Sequence, residues 1–181
     1  IGDLMKCIPG PDFPTAGLIV GRSGIRDMYI KGKGSITVRA KAVIERTKGG
    51  KEHILITEIP YQIKKNNLLE KMYDLVANKT ITGISDIRDE SDRNIRVLVE
   101  LKRGEIAQVI LNQLYKHTQM QTNYSANVLC LVDGLPKVLS LKEILQAHLD
   151  HRREVIRRRT QFDLDLCERR AHILEGYRIA L

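Results

Sequence analysis

Residues 36–59 read ITVRAKAVIERTKGGKEHILITEI, and their spacing decides the fold class. Ile36, Val38, Ala40, Ala42 and Ile44 alternate with Thr37, Arg39, Lys41 and Glu45, the period of two of a half-buried strand. Lys48-Gly49-Gly50-Lys51 reads as a hairpin turn, because Gly-Gly supplies the positive φ that such a turn requires. His53 to Ile59 is the return strand, stopped by Pro60. A two-residue turn sets Ile44 opposite Leu55 and Lys41 opposite Glu58, so that apolar meets apolar and charge meets opposite charge.

Working outward, Asn67 is placed to cap a helix with Glu70 at its third position, and Leu68, Leu69, Met72, Leu75 and Val76 form one apolar stripe. Gly83 leads into a strand over Ile84 to Arg88, Asp89 to Asn94 is a polar turn, and Ile95, Val97, Val99 and Leu101 alternate in the next strand. A second helix carries Ile106, Val109, Ile110 and Leu114 on one face. Tyr124 to Val132 is a final strand, closed by Asp133-Gly134-Leu135-Pro136. From His53 to Val132 the order is therefore β-α-β-β-α-β, a split βαβ two-layer sandwich with two helices on one face of an antiparallel sheet. The fold class is α+β, with the long β-hairpin in front.

The flanks differ. Residues 9–24 hold Pro9, Gly10, Pro11, Pro14, Gly17, Gly21 and Gly24, an irregular linker with short extended pieces such as Leu18-Ile19-Val20. Lys137 to Glu175 contains neither Pro nor Gly, and Leu141, Leu145, Leu149, Val155, Arg159, Phe162, Leu166, Ile173 and Tyr177 recur at mostly helical spacing. A helix from Leu141 onward would span roughly 60 Å, the signature of a coiled-coil strut. The expected division is residues 1–35 as irregular linker, 36–136 as the α+β domain and 137–181 as a truncated long helix. The chain opens at Ile1 without an initiator Met and closes on Ile179-Ala180-Leu181 without a stop signal, as expected of a piece of a longer protein.

Composition narrows the function classes. In 181 residues, 43% are hydrophobic and 29% charged, too apolar for disorder and long enough for a core without staples. Cys7, Cys130 and Cys167 are odd in number and outside any CxxC pair, against a disulfide scaffold or a zinc clip. No apolar run approaches the roughly 18 residues of a membrane span. The 30 Lys/Arg exceed the 22 Asp/Glu by a net +8, and residues 1–50 carry nine of the former against four of the latter. Such a patch points to a polyanion, most often nucleic acid, against the alternative of a solvated basic surface.

The chemistry-bearing motifs are sparse. Lys31-Gly32-Lys33-Gly34-Ser35 offers backbone N–H groups and two ammonium heads to phosphates, but Asp27 and Gly34 break the P-loop pattern. Asp86, Asp89, Glu90 and Asp92 miss the EF-hand spacing and, interleaved with Arg88 and Arg93, read as a self-neutralised turn rather than a metal site. Arg152, Arg153, Arg157, Arg158 and Arg159 read as a solvated strut face, with Glu154 four residues before Arg158. The five histidines form no HExxH set, and no Ser–His–Asp arrangement can be drawn. An RNA-recognition module shares the βαββαβ order, yet Val97 to Leu101 offers no aromatic on which a base could stack. No catalytic or metal residue is assigned.

Several runs together resemble the A subunit of DNA gyrase, a bacterial type IIA topoisomerase. They are Ile8-Pro9-Gly10-Pro11-Asp12-Phe13-Pro14-Thr15, Thr57-Glu58-Ile59-Pro60-Tyr61-Gln62, Arg88-Asp89-Glu90-Ser91-Asp92-Arg93, His151-Arg152-Arg153-Glu154-Val155 with Arg158-Arg159-Thr160, and Ala171-His172-Ile173-Leu174-Glu175-Gly176. The resemblance covers essentially the whole chain, as tower domain and first helix of the coiled-coil arm; the topoisomerase IV A subunit is the nearest rival. Ala16 stands where the family often has Gly, Lys64 replaces a frequent Asn, and Asp92-Arg93-Asn94-Ile95 lacks the usual turn Gly, for which a left-handed Asn94 would substitute.

The resemblance implies a double-strand break made by a tyrosine in an Arg-Tyr-Thr context, passage of a second duplex and resealing. None of Tyr29, Tyr61, Tyr73, Tyr115, Tyr124 and Tyr177 stands in that context, so the chain by itself is expected to be inactive. ATP and Mg2+ belong to the partner B subunit, in an A2B2 assembly that is cytoplasmic, nucleoid-associated and without membrane attachment, in a bacterium or a bacterium-derived organelle. The expected role is to bind and bend the gate DNA through Arg22, Arg26, Lys31, Lys33, Arg39 and Lys41, and to link the cleavage core to a distant dimer gate. A purely structural arm with incidental basic charge is the alternative.

Overall fold

The alternation from Ile36 to Ile44 is one pattern shared by two strands. In the computed structural model, which describes residues 1–47 and 50–180, β2 (Lys33–Arg39) and β3 (Lys41–Arg46) belong to different sheets. The chain changes sheet at Ala40, whose N–H donates to Met120 O at 2.7 Å and whose carbonyl accepts the Tyr115 hydroxyl at 3.1 Å. Ile36, Val38 and Ala40 are all buried, so the period survives the break and gives no sign of it.

Preceding these strands are α1 (Leu4–Cys7), β1 (Leu18–Val20) and α2 (Ser23–Lys31), and β4 (Glu52–Glu58) follows. The segment up to residue 35 thus holds two helices and the start of β2, and the expected extended piece Leu18-Ile19-Val20 is β1. Its glycines serve close packing. A Cβ on Gly24 would stand 1.8 Å from Ser35 O, and one on Gly34 2.3 Å from Gly24 O, so α2 lies against β2 backbone to backbone. Ile25, Met28 and Tyr29 of α2 then form a core with Ile36, Val38 and Ala126. Ala16 takes φ +56°, the left-handed region in which a glycine would be unstrained.

The β3–β4 register runs Val43 to Leu55 and Ile44 to Ile54, one residue off the expected pairing. Thr47 N–H donates to Lys51 O and Gly50 N–H to Thr47 O, with Gly50 at φ +75°, so three residues rather than two lie between the closing pair. A bulge between Lys41 and Ala42 then restores Lys41 opposite Glu58. The expected Lys48-Gly49 part of the turn lies outside the described residues.

The elements α3 (Lys65–Ala77), β5 (Ile84–Asp89), β6 (Val97–Leu101), α4 (Ala107–His117) and β7 (Gln121–Asn127) complete the β-α-β-β-α-β order. The fold is α+β with antiparallel sheets, as expected. Its four-stranded sheet runs β3-β4-β6-β5; β3 holds the edge beside β4, and β7 pairs instead with β2 in the sheet β1-β2-β7. Both helices cover one face of the four-stranded sheet. Leu68, Leu69, Met72 and Leu75 from α3 and Ala107, Ile110, Leu111 and Leu114 from α4 meet Ile54, Ile56, Ile87, Val97 and Val99.

Two helix details differ from expectation. α3 starts at Lys65 with no side-chain cap, so Asn67 lies inside it. On α4 the buried face passes through Leu111, leaving Ile106 and Val109 exposed. In the polar turn, Asn94 N–H bonds Asp92 Oδ1 at 3.0 Å, and no residue there has positive φ; an Asx turn replaces the expected left-handed Asn94.

Asp89 ties the end of β5 to the start of α3 through Lys65 Nζ at 2.6 Å. That ammonium, and then the Ser91 hydroxyl, hold its carboxyl down at about 2. A folded pKa below the unfolded value of about 3.9 means stability fully present above that value and lost as pH falls toward 2. The stability gap between wild type and Asp89→Asn, read by urea unfolding, should accordingly be widest at pH 5 and shrink by pH 2.

β8 (Leu129–Val132) and β9 (Leu135–Val138) form a further hairpin across Asp133 and Gly134, both at positive φ. It splits what reads as one final strand. α5 (Leu141–Ala180) is continuous over 40 residues and has no buried residue among those described. Ser140 Oγ accepts the Glu143 N–H, and Glu143 Oε2 accepts the Ser140 N–H at 2.7 Å, a capping box that starts the helix.

Candidate nucleic-acid interface

The six candidate basic residues differ in how far the fold engages them. Arg22, at the N-cap of α2, and Arg26, one turn on, are both exposed, flanking the buried Ile25, Met28 and Tyr29. Lys31 closes α2 and pairs with Asp27 at 3.0 Å. Lys33 opens β2. Among the described residues Arg22, Arg26 and Lys33 make no ion pair.

Arg39 and Lys41 are occupied within the fold. Arg39 donates from Nε at 2.8 Å and Nη2 at 2.5 Å to Gln121 Oε1, and its guanidinium lies 4.5 Å from the centre of the Tyr115 ring. Burial of that ring raises the Tyr115 pKa, an effect the nearby Arg39 charge only partly offsets. Lys41 Nζ pairs with Glu58 Oε1 at 3.1 Å, while Glu58 Oε2 accepts the Gly17 N–H at 2.7 Å. The Gly17 N–H first and Lys41 second hold the Glu58 carboxyl below its usual range. These contacts bind the incoming chain to the four-stranded sheet.

The glycines of Lys31-Gly32-Lys33-Gly34-Ser35 are likewise internal. Gly32 N–H donates to Met28 O at 2.9 Å with φ +70°, and a Cβ there would stand 2.6 Å from Leu139 O. They serve helix closure and docking of the segment before α5, not a phosphate nest.

Alternation along β2 and β7 gives their sheet two unlike faces. Gly34, Ile36, Val38, Tyr124 and Ala126 point toward α2. Lys33, Ser35, Thr37 and Arg39 point the other way, paired with Asn127, Ser125, Asn123 and Gln121. Every side chain on that open face of β2 and β7 carries a hydrogen-bonding group and none is acidic. The neutral members carry no charge signal in sequence; the clue is Asn, Ser and Gln at every second position of a strand, where such residues are disfavoured unless something else requires them.

The acidic run is spent locally. Asp86 Oδ1 accepts the Ile87 N–H, Asp89 pairs with Lys65, Glu90 with Arg96, and Asp92 closes its turn. A cleft of about 840 Å³ lies between the β8–β9 hairpin and α5, with Cys130, His148 and His151 on its wall. Among the described residues no group of three His, Cys, Asp or Glu is placed to hold a metal ion, and no helix is long and apolar enough to cross a membrane.

A family profile for the A subunit of DNA gyrase/topoisomerase IV matches residues 1–181. The chain belongs to that family. It is 56% identical over 180 residues to the DNA gyrase A subunit of Clostridium acetobutylicum, covering 99% of this chain and 22% of that protein. With the DNA gyrase A subunit of Pseudomonas aeruginosa identity is 52% over 184 residues, covering all of this chain and 20% of that one. With that of Halalkalibacterium halodurans it is 56% over 182 residues, with 22% of the relative covered. The chain thus spans about a fifth of the length of the gyrase A subunits it matches.

Proposed function

We propose that this chain is the DNA-holding wall and lever of a type IIA topoisomerase A subunit. In that reading the whole enzyme, with gyrase-type supercoiling as its activity, cuts one duplex, passes another through and reseals the first. The nucleophilic tyrosine lies elsewhere in the same polypeptide, and ATP and Mg2+ are handled through the B subunit of an A2B2 assembly in the bacterial-type cytoplasm. Residues 36–136 form the tower and residues 137–181 the arm that leads to the dimer gate. The topoisomerase IV counterpart, with decatenation as its activity, carries the same local chemistry.

The observation that supports DNA contact is the charge around α2 and β2. Arg22, Arg26, Lys31 and Lys33 face one carboxylate, Asp27, which pairs with Lys31. Flanking phosphate contacts of this kind offset the several kcal/mol that bending a gate duplex costs. Arg39 and Lys41, already engaged, act by fixing the surface to its neighbour sheet.

The test is Lys31→Ala combined with Lys33→Ala in the full-length assembly. Each phosphate contact removed should flatten the log–log salt dependence of DNA affinity by about 0.9. Unchanged affinity and slope would favour the structural-arm reading, which the exposed apolar stripe of α5 (Val155, Phe162, Leu166, Ile173 and Tyr177) independently supports.

A further inference from the structure

The open face of β2 and β7 presents hydrogen-bonding groups and no carboxylate, and the pairing within it turns two amides to donate outward. Gln121 Oε1 is taken by two N–H groups of Arg39, and Asn123 Oδ1 accepts the Thr37 hydroxyl at 2.8 Å. Both amide carbonyls are therefore satisfied from within the sheet, and the NH2 groups of Gln121 and Asn123 are left to face outward. Beside them stand the Lys33 ammonium, the Asn127 amide and the hydroxyls of Ser35 and Ser125, in direct register across the two strands. Over seven residues this array is roughly 20 Å long. β1 extends the same face, because Leu18 pairs with Arg39 and Val20 with Thr37, and these two apolar side chains are 48% and 41% exposed.

A surface of outward amide NH2 groups and hydroxyls, with the Lys33 ammonium and the Arg39 guanidinium at its two ends and an apolar margin, suits a partner rich in acceptors and carrying apolar rings. Phosphates would engage the two cations and leave the neutral groups between them unmatched, and the major groove presents donors as well as acceptors. The minor groove offers acceptors at every base pair, with sugar rings along its walls; the one donor it presents is the guanine 2-amino group. Bending a duplex opens that groove to a sheet surface.

We propose that this sheet face seats in the minor groove of the bound duplex, with Gln121, Asn123, Ser125 and Asn127 donating to base-edge acceptors and Leu18 and Val20 packing on deoxyribose. The assignment rests on the DNA-holding reading above and adds a groove and a base preference to it. Because the outward NH2 groups of Gln121 and Asn123 repel the guanine 2-amino group, contacted steps favour A·T over G·C.

The decisive measurement uses the unaltered full-length assembly and duplexes in which guanines of the flanking arms are replaced by inosine. That change removes the 2-amino group and leaves the major-groove edge intact. Affinity should rise about threefold or more, whereas 5-methylcytosine at the same pairs, a major-groove change, should leave it alone. In parallel, Asn123→Ala with Ser125→Ala and Asn127→Ala, all exposed positions, should lose about tenfold in affinity. The salt slope should stay unchanged, since neutral donors release no counterions. An unchanged affinity with inosine, an effect of 5-methylcytosine, or wild-type binding by the triple variant would each overturn the groove assignment. A slope change from Lys31→Ala with Lys33→Ala would in that case leave the DNA-holding reading standing; no response in either series would sink both.

Discussion

Gly24→Ala should destabilise the protein by at least about 3 kcal/mol, lowering its melting temperature by roughly 6–12 °C. The added methyl would stand 1.8 Å from Ser35 O and 2.7 Å from its carbonyl carbon. Those atoms belong to β2, which is hydrogen-bonded on both sides, to β1 and β7, and has no freedom to retreat. Relief requires lifting α2 off the sheet, which withdraws Ile25, Met28 and Tyr29 from Ile36 and Val38. Gly176→Ala is the contrast. It meets nothing within 4 Å on the outside of α5, and should gain up to about 1 kcal/mol from helix propensity alone. Equal effects from the two substitutions, measured by thermal and urea unfolding, would show that α2 is not held at backbone contact.

Leu114→Ala should cost about 2–5 kcal/mol, the range for a buried leucine whose cavity cannot collapse. Leu114 is fully buried between α4 and the sheet, alongside Met72 and Met120. Its carbonyl accepts both the N–H and the hydroxyl of Thr118, and that hydroxyl in turn accepts the Met120 N–H, so the backbone around it is pinned. Met120 O is also the acceptor for Ala40 N–H, where the chain crosses between sheets. Loosening at Leu114 should therefore reach the second sheet. Hydrogen exchange should speed up at β2 as well as at β4 and β6; acceleration confined to the four-stranded sheet would disprove the coupling.

The fold class was legible because hydrophobic period survives in the sequence, and the misreadings fall where period is silent. Ala40 keeps the alternation while its backbone bonds leave both ladders, so one long strand and two strands in different sheets look alike. The hairpin register slipped by one because Gly-Gly implies a two-residue turn, whereas the closing pair is Thr47 and Lys51. β3 displaces β7 from the sheet edge by partner choice, which no local pattern encodes. One missed feature did carry a signal: Asp133-Gly134 is a hairpin turn pair.

At the candidate interface the balance is reversed. Charge singled out Arg39 and Lys41, whose cationic groups the fold uses internally, and passed over Asn123, Ser125 and Asn127, which have no charge to count. What decides which groups are displayed is strand pairing at a sequence distance of more than 80 residues.

The root of α5 has a mechanical consequence. Leu141 packs into the same small core as Ile25, Met28 and Tyr29, and Gly32 lies under Leu139, so the rod is fastened to the unit that bears the open sheet face. With 40 residues at about 1.5 Å each, every degree of tilt at that fastening displaces the tip by roughly 1 Å. A few degrees of rocking would swing Ala180 by the width of a side chain. Angular play at one end becomes linear travel at the other without any bend in between.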